Sequence, residues 1–152
     1  MQSVCMEFDE EEQRIEEPMA LYRPDRRKKA GIRQTIRHID AGLPMGEFDV
    51  LQQQLCLTAE QLAKHLCITK STLLRRKKAG VLDRLESDRL LRFARLFGLA
   101  VDVLDSAEAA QKWLKTPARA LEFASPLEFA ETEVGAREVE NLLGRIEYGV
   151  YS

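Results

Sequence analysis

The chain has 152 residues, an apolar fraction of 45% and a formal net charge of -2, which excludes a wholly disordered protein and allows one domain with short appendages. This charge balance does not indicate a nucleic-acid binder, so any contact with DNA must come from a local basic patch. Cys5, Cys56 and Cys67 form no CxxC or Cys/His cluster, which favours a reducing compartment over a disulfide framework or zinc site and predicts that Cys67 is buried.

The first 23 residues are acidic, poor in large apolar side chains and without a clear period, which predicts a flexible tail. Their acidity excludes a signal peptide with a basic first region. No apolar run in the chain reaches the roughly 20 residues that span a bilayer. We therefore expect a cytoplasmic protein that does not enter a membrane.

Two amphipathic helices are predicted after a basic run. Ile32, Ile36 and Ile39 have helical spacing in the first, which Gly42 and Pro44 end. The second helix is short and carries Phe48, Val50, Leu51 and Leu55.

Residues 57–80, LTAEQLAKHLCITKSTLLRRKKAG, have the pattern of a helix-turn-helix. Thr58 with Gln61 predicts a capping box for the first helix, and Thr69 predicts the cap of the second. Ala63 provides the small residue that is needed where the two helices cross. Four apolar residues are spaced to hold both helices to the core: Leu62, Leu66, Ile68 and Leu73.

The second helix of such a motif presents its first turns to the major groove. Arginine and lysine suit guanine edges or phosphates, and serine and threonine suit either a phosphate or a base. The predicted DNA-facing residues are Lys70, Ser71, Thr72, Arg75, Arg76 and Lys77. An apolar residue is common where Arg76 stands, so a tilted helix or a core contact shifted to Leu74 is expected. One short helix contacts few base pairs, which predicts a homodimer on two half-sites.

Short helices continue to the end of the chain. A helix is predicted over Ser87–Phe97 and ended by Gly98. Further helices are predicted to start at Asp105, with Glu108 completing a capping box, and at Ser125-Pro126-Leu127-Glu128. A break over Thr132–Gly135 separates the latter from a last helix that Gly149 ends. No convincing strand pattern is present. The predicted fold class is all-α, a short-helix bundle with a helix-turn-helix module and a small C-terminal helical domain.

Large aromatic residues concentrate in the last third of the chain, and aromatic side chains are favoured anchors of interfaces. A small helical core is predicted from Trp113, Leu114, Leu127, Leu142 and Ile146. Tyr148 and Tyr151 lie beyond the last helical signal. Exposure of these aromatic side chains to water does not stabilise the chain. We expect this end to contact a partner.

The chain resembles the Xre/MbcA/ParS antitoxin family over roughly residues 30–152. The first half of the resemblance consists of TLLRRK at 72–77, Gly80, Leu82, Glu86-Ser87-Asp88-Arg89 and Arg92. The second half consists of Trp113-Leu114, Pro117, Leu121, Pro126-Leu127, Thr132, Gly135, Val139 and Leu143-Gly144-Arg145-Ile146-Glu147-Tyr148-Gly149. The chain lacks a glycine pair that the family often has near Phe123-Ala124.

This resemblance implies an antitoxin of a type II toxin–antitoxin system, encoded beside a toxin that often carries a NAD-consuming RES domain. It implies that the C-terminal domain covers the toxin's active-site entrance and that the complex represses its own promoter by binding operator double-stranded DNA. The implied toxin-binding residues are Glu147, Tyr148, Val150, Tyr151 and Ser152, and the implied dimer interface is Ile32, Ile36, Ile39, Phe48 and Leu51. The predicted domains are a tail over 1–23, a helix-turn-helix and dimerisation domain over 24–104, and a toxin-neutralising domain over 105–152.

Three other classes of protein stay open at this point. The first is a stand-alone helix-turn-helix regulator whose C-terminal domain senses a ligand, and the second is a helical adaptor without a DNA role, since a basic run alone is typical of a solvated helix face. The third is an enzyme, for which we find no chemistry. His38 and His65 are single, with His65 expected on an exposed helix side, and no Gly-rich phosphate loop or nucleophile elbow is present. We predict no catalytic residue, metal or cofactor.

Overall fold

The computed structural model describes residues 31–149. The predicted tail and the last three predicted toxin-binding residues, Val150, Tyr151 and Ser152, therefore lie outside the described residues. Within 31–149 the chain forms helices α1 (Gly31–Ala41), α2 (Met45–Gln54), α3 (Ala59–His65), α4 (Lys70–Ala79), α5 (Arg84–Leu104), α6 (Ala107–Lys115), α7 (Pro126–Phe129) and α8 (Glu133–Glu147), with a 3-10 turn at Arg119–Leu121. An isolated bridge joins Pro44 to Val81, and this part of the chain contains no strand. The all-α prediction is confirmed.

The helix-turn-helix consists of α3 and α4, and its predicted caps are confirmed. The Thr58 hydroxyl accepts a hydrogen bond from the Gln61 amide at 3.2 Å, and the Gln61 side chain accepts one from the Thr58 amide at 2.9 Å. Thr69 caps α4, and Gly80 ends it with a φ of 77°, a left-handed conformation that glycine adopts without steric cost. The predicted anchors of both helices are all buried: Leu62, Ala63, Leu66, Ile68 and Leu73.

Helix α5 is longer than predicted at both ends. It begins after Asp83, which forms a capping box with Glu86, and it continues through Gly98 to Leu104. The prediction that Gly98 ends this helix is wrong. One glycine inside a helix costs about 1 kcal/mol, and the buried side chains on both sides of Gly98, including Phe97 and Ala100, outweigh that cost.

Two predicted boundaries in the C-terminal part also need correction. Asp105 does not cap α6, because it ends α5 in the left-handed region at a φ of 58°. The Ser106 hydroxyl caps α6 instead, accepting a hydrogen bond from the Ala109 amide at 3.2 Å. The break predicted over Thr132–Gly135 lies earlier, at residues 130–132, since Thr132 caps α8 and Gly135 lies in its first turn. The capping box of Ser125 and Glu128 is confirmed.

The long helix α5 organises the core. It packs against α1, α6 and α8, so the helix-turn-helix and the C-terminal helices share one continuous apolar interior. The largest fully buried side chains come from both parts: Phe48, Leu51, Leu55, Leu62, Leu66, Leu90, Phe93, Leu96, Leu114, Leu121, Val139 and Leu143. Among the described residues, no helix combines the length and apolarity needed to cross a membrane.

Candidate functional site

Helix α4 has one buried side and one side that faces solvent. Leu73 is 4% exposed and fixes the helix to the core. The opposite side, at 3.6 residues per turn, carries Ser71, Leu74, Arg75 and Lys78, all of them exposed. We call these four residues the outward face. The helix contains five basic and no acidic residues, so the outward face lies in a positive local potential.

Arg76 does not belong to the outward face, which corrects its predicted place among the DNA-facing residues. Its guanidinium donates to Glu86 Oε2 at 2.8 Å and to Asp83 Oδ2 at 3.0 Å. The Arg76 side chain is 22% exposed, against 8% for that of Glu86. The two carboxylates compensate the charge of Arg76 and anchor α4 to the start of α5. The alternative core contact at Leu74 is also wrong, because that side chain is 55% exposed.

The other predicted DNA-facing residues differ in how free their side chains are. Lys77 is exposed, and Arg75 has no ion-pair partner among residues 31–149. Lys70 Nζ lies 3.4 Å from Glu60 Oε1, in a pair of strongly exposed side chains that holds them only weakly. Thr72 is half-buried, and its hydroxyl accepts a hydrogen bond from the Thr69 hydroxyl at 2.9 Å.

Two further predictions, for Cys67 and His65, need correction. Cys67 is exposed rather than buried, with a φ of 56° that ends α3. His65 faces inward: its Nδ1 lies 3.0 Å from Glu131 Oε1, and its side chain is 16% exposed and lies against the Phe93 ring. This contact links the helix-turn-helix to the C-terminal helices. No three acidic, histidine or cysteine side chains of the described residues are grouped as metal ligands would be.

The C-terminal helices combine an apolar interior with two exposed aromatic side chains. Of the predicted core, Leu114 and Leu127 are buried, and Trp113, Leu142 and Ile146 are half-buried. At the end of α8, Glu147 is exposed and Tyr148 is 73% exposed. Phe123 is equally exposed at 73%. Phe123 is not among the predicted toxin-binding residues, although it lies in the loop where the family's glycine pair is absent.

The predicted dimer residues divide into two groups. Ile32 and Ile36 on α1 are 66% and 49% exposed and are available to a second chain, whereas Ile39 packs partly against the core. Phe48 and Leu51 are fully buried within the monomer. Their prediction as interface residues is wrong, because the chain's own core already covers them.

This geometry defines a class: a small all-α protein in which a cationic helix-turn-helix is joined to a C-terminal helical unit through one long helix. Comparison with protein families specifies it further. Residues 34–95 match the model of the antitoxin Xre-like helix-turn-helix domain. Residues 99–149 match that of the antitoxin Xre/MbcA/ParS C-terminal toxin-binding domain. The chain therefore belongs to the Xre-type antitoxin family, as the resemblance predicted.

Two curated relatives support this assignment. The chain is 46% identical over 69 residues to "Antitoxin Xre" of Photorhabdus laumondii subsp. laumondii, an alignment that covers 44% of this chain and 46% of the relative. It is 40% identical over 85 residues to "Antitoxin Xre" of Yersinia enterocolitica serotype O:8 / biotype 1B, covering 55% of this chain and 57% of the relative. The match thus spans about half the length of these relatives.

Proposed function

We propose that this chain is the antitoxin of a type II toxin–antitoxin system that binds operator DNA through α4 and neutralises a toxin through its C-terminal unit. The observation that carries the proposal is the outward face of α4, which is cationic, exposed and held in place from behind by Leu73 and the Arg76 ion pairs. A surface of this kind suits a polyanion. The exposed aromatic residues of the C-terminal unit suit a protein partner.

Operator binding follows from the chemistry of the outward face. Arg75 has the geometry to donate two hydrogen bonds to a guanine edge, and Ser71 suits a phosphate or a base. Lys70, Lys77 and Lys78 neutralise backbone phosphates on either side. Thr72 contributes mainly by capping contacts at the start of the helix. Arg76 holds α4 at its angle from within the protein.

Homodimerisation supports operator binding, because two half-sites lie about 34–36 Å apart on the same side of the duplex and need two recognition helices. Ile32 and Ile36 form an apolar stripe on α1 that a second copy of the chain would cover. We accordingly propose the described part of 24–104 as the DNA-binding and dimerisation domain and 105–152 as the neutralising domain. The protein acts in the cytoplasm, where operator DNA is found.

Toxin neutralisation is assigned to the end of the chain. Glu147 and Tyr148 are exposed at the end of α8, and Val150, Tyr151 and Ser152 follow in the sequence. The family resemblance favours a RES-domain toxin that consumes NAD. A site that holds the anionic phosphates of NAD needs cationic groups, and the Glu147 carboxylate would pair with such a group in a dry interface. The end of the chain would then block the entrance of the toxin's active site.

Operator binding is tested by reversing one charge. Arg75→Glu should weaken binding to the DNA upstream of this chain's own gene at least about tenfold, measured by gel shift at fixed salt. The matched control is Arg137→Glu, whose side chain is 75% exposed on α8, and it should stay within about twofold. Equal loss in both variants, or no loss at Arg75, would favour a helical adaptor without a DNA role.

Neutralisation is tested by truncation. Deletion of residues 147–152 should abolish rescue of cells that express the toxin from the neighbouring reading frame, while operator binding is retained. Full rescue by the truncated chain contradicts the assignment to this end. If the neighbouring product is harmless and does not bind the chain, a stand-alone transcription regulator becomes the better description.

A further inference from the structure

The loop before α7 holds two consecutive residues in a costly backbone conformation. Glu122 and Phe123 have φ angles of 55° and 65°, both in the left-handed region. In this region the β-carbon of an L-residue crowds its own backbone, so single glycines usually occupy it. Two successive residues with large side chains are unusual there, and such strain concentrates at functional positions.

The surrounding contacts impose this conformation on the loop. The Ala118 amide donates to the Ala124 carbonyl at 3.1 Å, and the Phe123 amide donates to the Ala118 carbonyl at 3.0 Å. Leu121 is fully buried just before the strained pair. Ser125 begins α7 with a complete capping box just after it. The loop is therefore fixed at both ends.

The result of this strain is the display of an aromatic ring. Phe123 is 73% exposed, so it contributes little to the chain's own core. Burial of such a ring is among the largest apolar gains available to an interface. The strain lowers the stability of the free chain, and the exposed ring buries too little apolar surface to offset that loss. A bound state that buries the ring accounts for both observations.

We propose that Phe123 is an anchor residue that inserts into an apolar pocket of the cognate toxin. This inference rests on the proposed function, since it adds a second contact to the toxin-binding surface at the end of α8. The loop lies within residues 99–149, which match the toxin-binding domain. The acidic side chain of Glu122 next to the ring disfavours DNA as the partner. Because the backbone of the loop is already fixed, binding of the ring costs little backbone entropy.

Three variants separate the ring from the strain. The probe is the toxin encoded by the reading frame next to this chain's gene, in a catalytically inactive form, with the dissociation constant measured on the full-length antitoxin. Phe123→Ala should weaken toxin binding about 30-fold or more. Phe123→Gly should weaken it equally, yet raise the melting temperature by about 2 °C because the strain is relieved. Glu122→Gly should raise the melting temperature similarly while toxin affinity stays within about threefold.

Leu85→Ala provides the matched control, because Leu85 is an exposed apolar residue, at 65%, in the first turn of α5. Its toxin affinity should not change. Wild-type affinity in Phe123→Ala, together with a loss on deletion of residues 147–152, would overturn the anchor but leave the proposed function standing. Failure of the wild-type chain to bind the toxin would overturn both.

Two other results also count against the anchor. A melting temperature lowered by more than about 3 °C in Phe123→Ala would indicate that the ring packs against its own chain. A change in oligomeric state by light scattering, with unchanged toxin affinity, would assign the ring to a second copy of the chain. The anchor predicts that Phe123→Gly raises the melting temperature and weakens toxin binding. A ring with only a structural role does not produce this combination.

Discussion

The outward face of α4 and the exposed surface of the C-terminal unit use different chemistry. The α4 surface is cationic, with Arg75 and Lys78 beside the single apolar side chain of Leu74. The C-terminal surface displays aromatic rings, those of Phe123 and Tyr148, beside carboxylates. Long-range charge attraction suits a polyanion, whereas rings need a close, dry contact. The two surfaces are thus suited to two different partners.

Polar contacts fix these two surfaces to one framework. Arg92 on α5 donates to the backbone carbonyl of Glu131 at 3.1 Å and to Glu133 Oε2 at 3.1 Å. Arg89, one turn earlier, donates to the Leu66 carbonyl in the turn of the helix-turn-helix at 3.1 Å. These contacts join α5 to both units and so couple the stabilities of the two units. Their surfaces can nevertheless be altered one at a time.

The largest expected effect tests whether the units unfold together. A β-carbon on Gly135 would overlap the Phe129 carbonyl oxygen, so Gly135→Ala must displace α8 from α7. We expect a loss of about 3 kcal/mol or more in the free energy of unfolding. Because α5 shares its core with α8, thermal unfolding should remain one transition at a lower temperature.

Gly144→Ala is the matched control in the same helix. No atom lies within 4 Å of the added β-carbon, so alanine should stabilise α8 by about 0.5–1 kcal/mol through helix propensity. Two separate unfolding transitions in Gly135→Ala, with the helix-turn-helix transition unshifted, would show that the units are independent.

The second effect separates two neighbouring arginines on α4. Arg76→Ala leaves the nearly buried Glu86 carboxylate without its partner and should cost about 2 kcal/mol, between the values for surface and buried pairs. Arg75→Ala should change stability by less than about 0.5 kcal/mol. It should weaken operator binding by about 1–3 kcal/mol and relax specificity at one base pair, because the contact to a guanine edge is lost. Equal stabilities of the two variants would contradict the assignment of Arg76 to the stability of the fold and of Arg75 to DNA binding.

Local signals in the sequence predicted the helix starts well. The capping side chains at Thr58, Thr69 and Ser125 act within three residues of themselves, so short patterns suffice to find them. The extension of α5 beyond Gly98 depends on burial by other helices, which no local pattern contains. Because α5 extends to Leu104, Asp105 ends that helix and Ser106 caps α6.

The site residues show the same limit. Apolar spacing predicted that Phe48 and Leu51 would be covered, but whether by a second chain or by the same one is a tertiary property. Arg76 has a charge suitable for DNA, and only folding shows that Glu86, ten residues later, compensates it. Leu74 was predicted as an alternative core contact, but Leu73 already fixes α4 to the core and Leu74 lies on the outward face.

The third effect tests this apolar member of the cationic surface. Leu74 lies between Ser71 and Lys78 on the outward face, where an apolar side chain suits a thymine methyl group. Replacing single thymines of the operator by deoxyuracil should weaken wild-type binding about fourfold at one position per half-site, the value of about 0.8 kcal/mol for one buried methyl group. Leu74→Ala should bind both operators alike. A variant that keeps the wild-type sensitivity would show that Leu74 does not contact the methyl group.

The smallest effect concerns a buried acidic residue in the helix-turn-helix part. Arg75 and Lys78 lie in solvent on the outward face, whereas Glu47 on α2 is 8% exposed and its Oε2 has no hydrogen-bond partner among the described residues. Burial raises the pKa of the Glu47 carboxyl above its ordinary value, since the charged form is poorly solvated there. The protonated form therefore stabilises the fold fully below the pKa of an unfolded glutamate, about 4.3. That stabilisation is lost as the pH rises through the raised pKa.

Glu47→Gln should consequently raise the melting temperature at pH 7 by about 1–2 °C, and the gain should shrink towards zero near pH 4. Asp49→Asn, on the exposed side of the same helix, removes the same charge without removing a buried carboxylate and should show no such pH-dependent gain. A gain for Glu47→Gln that is equal at both pH values would attribute the effect to packing rather than to charge. A gain confined to neutral pH would show that this unit tolerates a destabilising buried carboxylate, in contrast to the C-terminal unit, where Glu122 and Glu147 are displayed in solvent.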